Sequence, residues 1–399
     1  MLCKIRVQNF MSLRDVSVEL DPLTVFWGRN GSGKSAIFKA LVTLTRMNSD
    51  HPAPVRSNKD FNLEAGITLD DLVWRGDSGR PIRLEVWFDD APLDKVPGYS
   101  LELAKGRAGW SVTYERIRIG GKEILVDQNH PFSHPTERVG TQTTEVPMRG
   151  TLRSMVNRFV RDEQALSVIE PILENSKRLG EAWRYRPSAY DIAAFTSGRE
   201  HSDPFVLPNG RGLALVLQDL QGRQRDVFEK VERQVCKTFE HVRNIGFDPG
   251  PDGVRLSFMT TRSNKLVAAP QESDGVLLAT FLSWRLYSAE PPITICLEEP
   301  ENGFYPEVLD ERFKLLRSFA VPDDRSPARA QILVSTHSLE FLGVLRQHHS
   351  DFAIVRTVEY LNDHDGTCVE SLKGYRQAAH LMEYVRDGDS VLPSKWRSG

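Results

Sequence analysis

The sequence of 399 residues predicts an α/β fold, and this prediction rests on three buried strands and a glycine-rich loop. The strands, at residues 23–27, 293–297 and 331–335, are apolar along most of their length. Such runs are typical of strands that are covered on both faces in a mainly parallel sheet. The first strand leads into the glycine-rich loop, and a helical pattern at 36–42 follows it.

The loop at 28–35 fits G-x-x-x-x-G-K-[ST] at every fixed position. A strand before it and a helix after it are the context in which this pattern binds phosphate. Its glycines let successive N–H groups face one concavity, and the helix N-terminus adds positive charge. We predict that Lys34 contacts the β and γ phosphates and that Ser35 ligates Mg²⁺. The predicted nucleotide-binding positions are Asn30, Gly31, Ser32, Gly33, Lys34, Ser35 and Ala36.

Composition limits the class of protein further. A formal net charge of −3 argues against a surface that binds polyanions throughout, although it allows a local basic groove. The four cysteines lie far apart without a C-x-x-C pair, which fits a reducing compartment. The sequence starts directly in a strand pattern and has no apolar run of about 20 residues. We therefore expect a cytoplasmic protein that makes no membrane contact.

The first part of the chain reads as strands. Residues 4–10 and 16–20 alternate between apolar and polar side chains, as half-buried strands do. Four further alternating runs with turn residues between them predict an antiparallel subsheet, at 82–88, 100–103, 110–117 and 123–126. Polar segments at 47–65 and 128–150 predict a surface connection and a lobe boundary.

The middle of the chain changes to helical spacing. Residues 152–173 carry apolar side chains at helical intervals, and a longer helical pattern runs from Val227 to Val242. A hairpin is predicted at 254–266 and an apolar helix at 276–287. Neither of the first two patterns sustains heptads, so we do not expect a long coiled coil.

Polar residues at the ends of the later strands complete the predicted site. Glu298 and Glu299 follow the strand at 293–297, where carboxylates of a P-loop enzyme face Mg²⁺ and the attacking water. We assign Glu298 to the magnesium shell and Glu299 to the role of general base. His337 follows the strand at 331–335 and is placed to hydrogen-bond the γ-phosphate or the water.

Together these motifs resemble the ABC-type ATPases of the RecF, SMC and OLD group, and most closely the compact ATPases found in bacterial defence operons. The resemblance extends over almost the whole chain in the family's order. Its pieces are Asn9-Phe10 with Asp15, the loop at 28–35, residues 187–191, Asn209-Gly210, Ser273-Asp274-Gly275, residues 297–303 with Pro306, and 335–338.

The resemblance implies a P-loop ABC-ATPase head with a mixed core sheet, an antiparallel subsheet and a helical lobe. It divides the chain into a nucleotide-binding lobe at 1–148, a helical lobe with the signature segment at 149–289, and a return to the core at 290–399. It also implies an ATP-sandwich homodimer, in which Ser273 and Gly275 contact the γ-phosphate bound by the other copy's Lys34 and Ser35. Residues 302–306 would link the two sites, and His337 would be the switch histidine.

Three positions differ from the family's pattern. Glu298 stands where ABC ATPases at large carry aspartate, and Met11 stands where relatives often carry arginine. The family's site also contains a loop glutamine, for which Gln128 and Gln142 are the candidates.

We therefore predict an ATP hydrolase that uses Mg²⁺, dimerises on ATP and controls a separately encoded effector, in bacterial anti-phage defence. The alternative is a RecF-like clamp that binds DNA in repair or recombination. Basic residues available for phosphate contacts are Arg153, Arg158, Arg161, Lys177, Arg178, Arg184 and Arg186. Glutamates interspersed among them favour a solvated helical face. The sequence Asp363-His364-Asp365-Gly366 resembles part of a Toprim nuclease site, but its flanking strand patterns predict a hairpin turn.

Overall fold

The structure, a computed structural model, describes most of the chain. The described residues are 1–47, 67–88, 97–107, 109–119, 122–127, 136–139, 142–145, 173–175, 177–197, 205–251, 253–261, 265–288, 293–302, 306–321, 330–338, 341, 344, 353–360 and 366–371. The predicted helical pattern at 152–173 lies almost entirely outside them, as do the predicted connection at 47–65, except for Met47, and Asp363, His364 and Asp365. Among the described helices, none is long and apolar enough to cross a membrane.

The secondary structure alternates between strands and helices as predicted for an α/β protein. The strands are β1 Leu2–Phe10, β2 Leu13–Glu19, β3 Leu23–Trp27, β4 Ile82–Phe88, β5 Tyr99–Gly106, β6 Gly109–Ile119, β7 Lys122–Asp127, β8 Thr136–Val139, β9 Gln142–Glu145, β10 Glu181–Tyr185, β11 Val242–Gly250, β12 Gly253–Thr260, β13 Leu266–Ala268, β14 Ile293–Glu298, β15 Gln331–Thr336, β16 Ala353–Tyr360 and β17 Gly366–Ser371. The helices are α1 Lys34–Met47, α2 Leu69–Leu72, α3 Ala189–Ala193, α4 Leu213–Arg223, α5 Arg225–Thr238, α6 Asp274–Tyr287 and α7 Pro306–Ala320.

The core sheet has the strand order β10-β14-β15-β3-β16-β17. Its first five strands run parallel, and β17 pairs antiparallel with β16 at the edge. The three apolar strands of the sequence, β3, β14 and β15, are therefore adjacent at its centre. This confirms the predicted mixed core sheet and brings the carboxyl ends of all three strands to one edge.

Alternate side chains of these strands enter different hydrophobic cores. Cys296 and Leu333 pack with helix α1 and the strands of the second sheet. Their neighbours Leu297 and Val334 pack on the opposite face with helices α6 and α7. Burial on both faces explains why the three strands lack polar alternation.

The second large sheet is antiparallel throughout and has the order β2-β1-β4-β5-β6-β7. It confirms the predicted subsheet and extends it, because β1 and β2 belong to it. Helix α1 lies between this sheet and the core sheet, since its residues Ile37, Phe38 and Leu41 join the core formed by both.

The predicted long helical pattern from Val227 to Val242 is wrong at its end. Helix α5 ends at Thr238, and Val242 is the first residue of strand β11, where it pairs with Thr260 of β12. The following residues include Gly246 and Pro249, both of which disfavour a helix. The apolar side chain of Val242 is buried by sheet pairing instead.

The segment at 149–289 is not a purely helical lobe. It contributes β10 to the edge of the core sheet and forms a separate sheet of the order β11-β12-β13. The predicted hairpin at 254–266 is confirmed as the β12 and β13 pair. Residues 128–150, predicted as polar turns, contain the short β8 and β9 hairpin among their described positions.

Candidate active site

The predicted site residues meet at the carboxyl edge of the core sheet. Glu298 ends β14, Thr336 ends β15, and Gly28 follows β3. The backbone N–H of Glu299 donates to the carbonyl of Ser335 at 2.8 Å. The N–H of Gly28 donates to the carbonyl of Thr336 at 3.3 Å. The three strand ends are thus tied together by their own backbones.

The phosphate loop curls around its lysine. Gly31 and Gly33 have φ values of 84° and 94°, a region that favours glycine. The ammonium of Lys34 donates to the carbonyls of Gly28 at 2.6 Å and Arg29 at 2.7 Å, and the residue is only 7% exposed. A bound phosphate would therefore replace backbone carbonyls as the partner of this ammonium.

The charge of Lys34 is balanced by three acidic side chains. Burial lowers the pKa of the Lys34 ammonium, while the carboxylates of Glu299, Glu298 and Glu301 act to raise it. All three glutamates therefore lie close enough to influence the phosphate loop.

Glu298 pairs with Arg184, one of the basic residues that the sequence suggests for nucleic-acid contacts. Arg184 Nε donates to Glu298 Oε1 at 2.7 Å, and Arg184 Nη2 donates to Oε2 at 3.1 Å. In the parallel pairing of β10 with β14, Arg184 stands beside Cys296, two residues before Glu298 and on the same face. Glu298 is 4% exposed and Arg184 is 24% exposed, so this is a largely buried pair.

Glu299 is held by three partners. His337 Nδ1 lies 3.0 Å from its Oε1, while Arg186 Nη2 at 3.2 Å and Asn302 Nδ2 at 3.0 Å both donate to its Oε2. Glu299 has a φ of 49°, which is uncommon for a residue with a Cβ atom. Strain of this kind concentrates at functional sites. The structure thus brings Glu299 and His337 together, as the sequence predicts.

Glu301 is an acidic residue of the site to which the sequence analysis gave no separate role. It is 8% exposed, its Oε1 accepts a hydrogen bond from the Thr336 hydroxyl, and its Oε2 has no hydrogen-bond partner among the described residues. The Ser35 hydroxyl, the Glu298 carboxylate and this oxygen are the hard oxygen donors that Mg²⁺ prefers. These donor types suit the predicted cation, and Glu298 would have to exchange its pairing with Arg184 to ligate it.

Burial also raises the pKa of the Glu301 carboxyl, against the hydrogen bond from Thr336. The folded protein then holds this proton more tightly than the unfolded chain, so stability is greatest below the ordinary carboxyl pKa of about 4.3 and falls as the pH rises through the raised value. We expect Glu301→Gln to remove this part of the decline, as measured by melting temperature against pH. Glu229→Gln, at an exposed position of helix α5, is the control. Parallel curves for wild type and Glu301→Gln would contradict the expectation.

The segment that resembles the signature begins helix α6. Ser273 is exposed and caps this helix, because its hydroxyl accepts a hydrogen bond from the N–H of Val276 at 3.4 Å. Gly275 is buried in the first turn. Most of the remaining helix is buried, so it fixes the position of the exposed serine.

Two residues that contribute to the family resemblance, Asn9 and Asp15, stabilise local structure. Asn9, with a φ of 56°, donates from Nδ2 to the carbonyls of Asp77 and Arg80 at 3.2 and 2.7 Å. Asp15 accepts from Arg6 and Gln8 across the β1 and β2 pair. These contacts explain both residues without a ligand.

The candidates for the loop glutamine remain predictions. Gln128 lies outside the described residues, and Gln142 begins strand β9, where its side chain is not described. The residue that reaches Glu299 from the neighbouring strand is Arg186, which follows β10 directly. The sequence shows only that Arg184 and Arg186 alternate, and the pairing of β10 with β14 is what places them beside the two glutamates.

A phosphate loop beside strands that supply two glutamates and a histidine is the arrangement of a P-loop ATPase of the ABC type, and this chain is such an ATP hydrolase. Comparison with known proteins agrees. Residues 1–177 match the family described as "AAA ATPase domain". Residues 151–343 match the family described as "AAA domain, putative AbiEii toxin, Type IV TA system".

The chain is also similar to an OLD nuclease from Thermus scotoductus. The two are 22% identical over 395 residues, which cover 94% of this chain and 66% of the nuclease. The two family matches and this relative support the resemblance to ATPases of the RecF, SMC and OLD type that the sequence predicts. The chain spans less than two thirds of that nuclease's length.

Two solved SMC head domains are similar at 11% identity. The head domain from Thermotoga maritima has a TM-score of 0.40, with 92% of this chain and 98% of that chain covered. The Smc head domain from Pyrococcus furiosus, solved with an extended coiled coil and bound to the C-terminal domain of ScpA, has a TM-score of 0.43, with 96% and 99% covered.

Proposed function

We propose that the chain is an MgATP-dependent switch that dimerises on ATP and controls a separately encoded effector in bacterial anti-phage defence. The observation that carries this proposal is that Glu299, His337 and the phosphate loop meet at one edge while Ser273 is exposed at the start of helix α6. A second copy can therefore supply its Ser273 to the phosphates held by Lys34.

Hydrolysis in this proposal follows from the side chains at the edge. Lys34 holds the β and γ phosphates, and Ser35 with Glu298 would hold Mg²⁺. The cation supplies charge stabilisation for the phosphate oxygens. Glu299 accepts a proton from the water that attacks the γ-phosphorus, and the bond to the β-phosphate oxygen breaks. His337 holds Glu299 in position, which its 3.0 Å contact with that carboxylate supports.

Support for an effector comes from the names of the matching proteins. One relative is named a nuclease and one matching family is named for a putative toxin, and these names support a destructive activity in the system that this ATPase serves. Neither activity is proposed for the described residues of this chain, which supply the ATPase.

A complementation experiment tests the dimer. Lys34→Ala removes the phosphate contact and Ser273→Arg blocks the signature, so each variant is expected to lose ATPase activity alone. Mixing them produces heterodimers with one intact composite site, and we expect activity to return to about a quarter of wild type for random pairing with one working site. Phosphate release on mixing is the measurement.

The control is Ser318→Arg, which is expected to retain activity. Ser318 is exposed near the end of helix α7, where the carbonyl of Phe319 accepts a hydrogen bond from Ala330 just before β15. It therefore lies at the opposite edge of the sheet from the strand ends. A mixture that stays inactive, or Ser273→Arg with full activity alone, would contradict the shared site.

The alternative is a DNA-binding clamp of the RecF kind, and the structure offers it less support than the sequence does. Of the basic candidates, Arg184 and Arg186 bind the site glutamates, and Arg178 lies near Glu174 and over the ring of Phe88. Salt-dependent duplex binding with ATP, lost in Lys34→Ala, would favour this alternative.

A further inference from the structure

We propose that Arg186 is the residue that detects the γ-phosphate: it holds Glu299 while no triphosphate is bound and moves to the γ-phosphate when ATP binds. The inference rests on the proposed nucleotide site. It assigns one arginine to two partners in turn and makes release of the catalytic carboxylate depend on the third phosphate.

The first observation is that both carboxylate oxygens of Glu299 already have partners among the described residues. Oε1 faces His337, and Oε2 accepts hydrogen bonds from both Arg186 and Asn302. A carboxylate offers about four lone-pair positions, so three partners leave little room for an attacking water. Departure of Arg186 frees a position on Oε2 for that water.

The second observation is that Arg186 combines a fixed backbone with an exposed side chain. Its N–H donates to the carbonyl of Pro208 at 2.9 Å, and the N–H of Ser188 donates to the carbonyl of Asn209 at 2.9 Å. Its side chain is nevertheless 67% exposed, compared with 24% for Arg184. Of the two arginines that pair with site glutamates, Arg186 is therefore the one whose side chain can move at low cost.

The third observation is that Arg186 reaches the edge where the phosphate loop lies. It donates to Glu299, whose N–H is bound to the carbonyl of Ser335, and the carbonyl of the next residue, Thr336, accepts from Gly28 of the loop. A guanidinium prefers a phosphate, which offers several oxygens and more charge than one carboxylate. ADP lacks the third phosphate and would leave Arg186 with Glu299.

The topology also explains why an arginine occupies this position. Strand β10 is the parallel neighbour of β14, so the residue after β10 emerges beside the residue after β14.

The test compares the affinities for ADP and for a non-hydrolysable ATP analogue, with Mg²⁺, by calorimetry. All proteins carry Ser273→Arg, so that dimerisation does not contribute. We expect Arg186→Gln to raise the dissociation constant of the analogue about tenfold, the scale of one charged hydrogen bond, and to leave the dissociation constant of ADP unchanged. Arg186→Lys should lose less, because it keeps the charge. The matched control is Arg225→Gln, whose exposed side chain pairs with Glu229 on helix α5.

A double-mutant cycle isolates the exchange of partners. Glu299→Gln weakens the contact between position 299 and Arg186. It should therefore lower the dissociation constant of the analogue about three- to tenfold when Arg186 is present, and by less when position 186 is glutamine. Equal weakening of ADP and analogue in Arg186→Gln, or no coupling in the cycle, would overturn the inference. Failure of the proposed function looks different, because then neither nucleotide binds the parent protein and Lys34→Ala changes nothing.

Discussion

Glu299→Gln is expected to lower the ATP turnover number by about 10²- to 10⁴-fold, the usual contribution of a general base. The amide keeps the size of the side chain but cannot accept the proton of the attacking water. Its carbonyl oxygen can still accept a hydrogen bond from Asn302 or Arg186, so the geometry of the site should persist. The measurement is steady-state phosphate release at saturating ATP.

The same variant should retain ATP binding, because Lys34 and the phosphate loop are unchanged. Bound ATP then persists, and the dimer should accumulate in a mass measurement. The matched control is Glu229→Gln, which removes an exposed carboxylate paired with Arg225 and should hydrolyse ATP normally. A Glu299→Gln protein that turns over at the wild-type rate and stays monomeric with ATP would exclude both the assigned base and the sandwich.

The parts of the site that the sequence predicts are those set by local pattern. The loop at 28–35 lies between β3 and α1 as expected, and the apolar strands β14 and β15 deliver Glu299 and His337 to one edge. A continuous apolar run ending in polar residues identifies such strands because both faces are buried. In the structure β14 and β15 are parallel neighbours in the core sheet.

The parts that the sequence does not reveal depend on register between distant segments. Arg184 and Glu298 are far apart in the chain, and only the pairing of β10 with β14 brings them together. Position alone made Arg184 and Arg186 look like residues of a solvated helical face. The helix prediction for Val242 was wrong for a related reason, because its apolar side chain fits a helix pattern and a buried strand equally well.

Arg184→Ala is expected to reduce the free energy of unfolding by about 3–5 kcal/mol, the cost of leaving one partner of a buried ion pair alone. Glu298 would remain as a carboxylate that is 4% exposed without its bidentate partner. Urea unfolding without nucleotide measures the loss. The control is Arg225→Ala, whose exposed pair with Glu229 is worth less than about 1 kcal/mol.

The double variant Arg184→Met with Glu298→Leu separates the pair's role in stability from its role in the site. Replacing both partners by apolar side chains removes the unpaired charge, so most of the lost stability should return, to within about 1 kcal/mol of wild type. ATPase activity should not return, because the proposed magnesium ligand Glu298 is gone. A double variant as unstable as Arg184→Ala would mean that the loss comes from the packing of Arg184 and not from the charge left on Glu298.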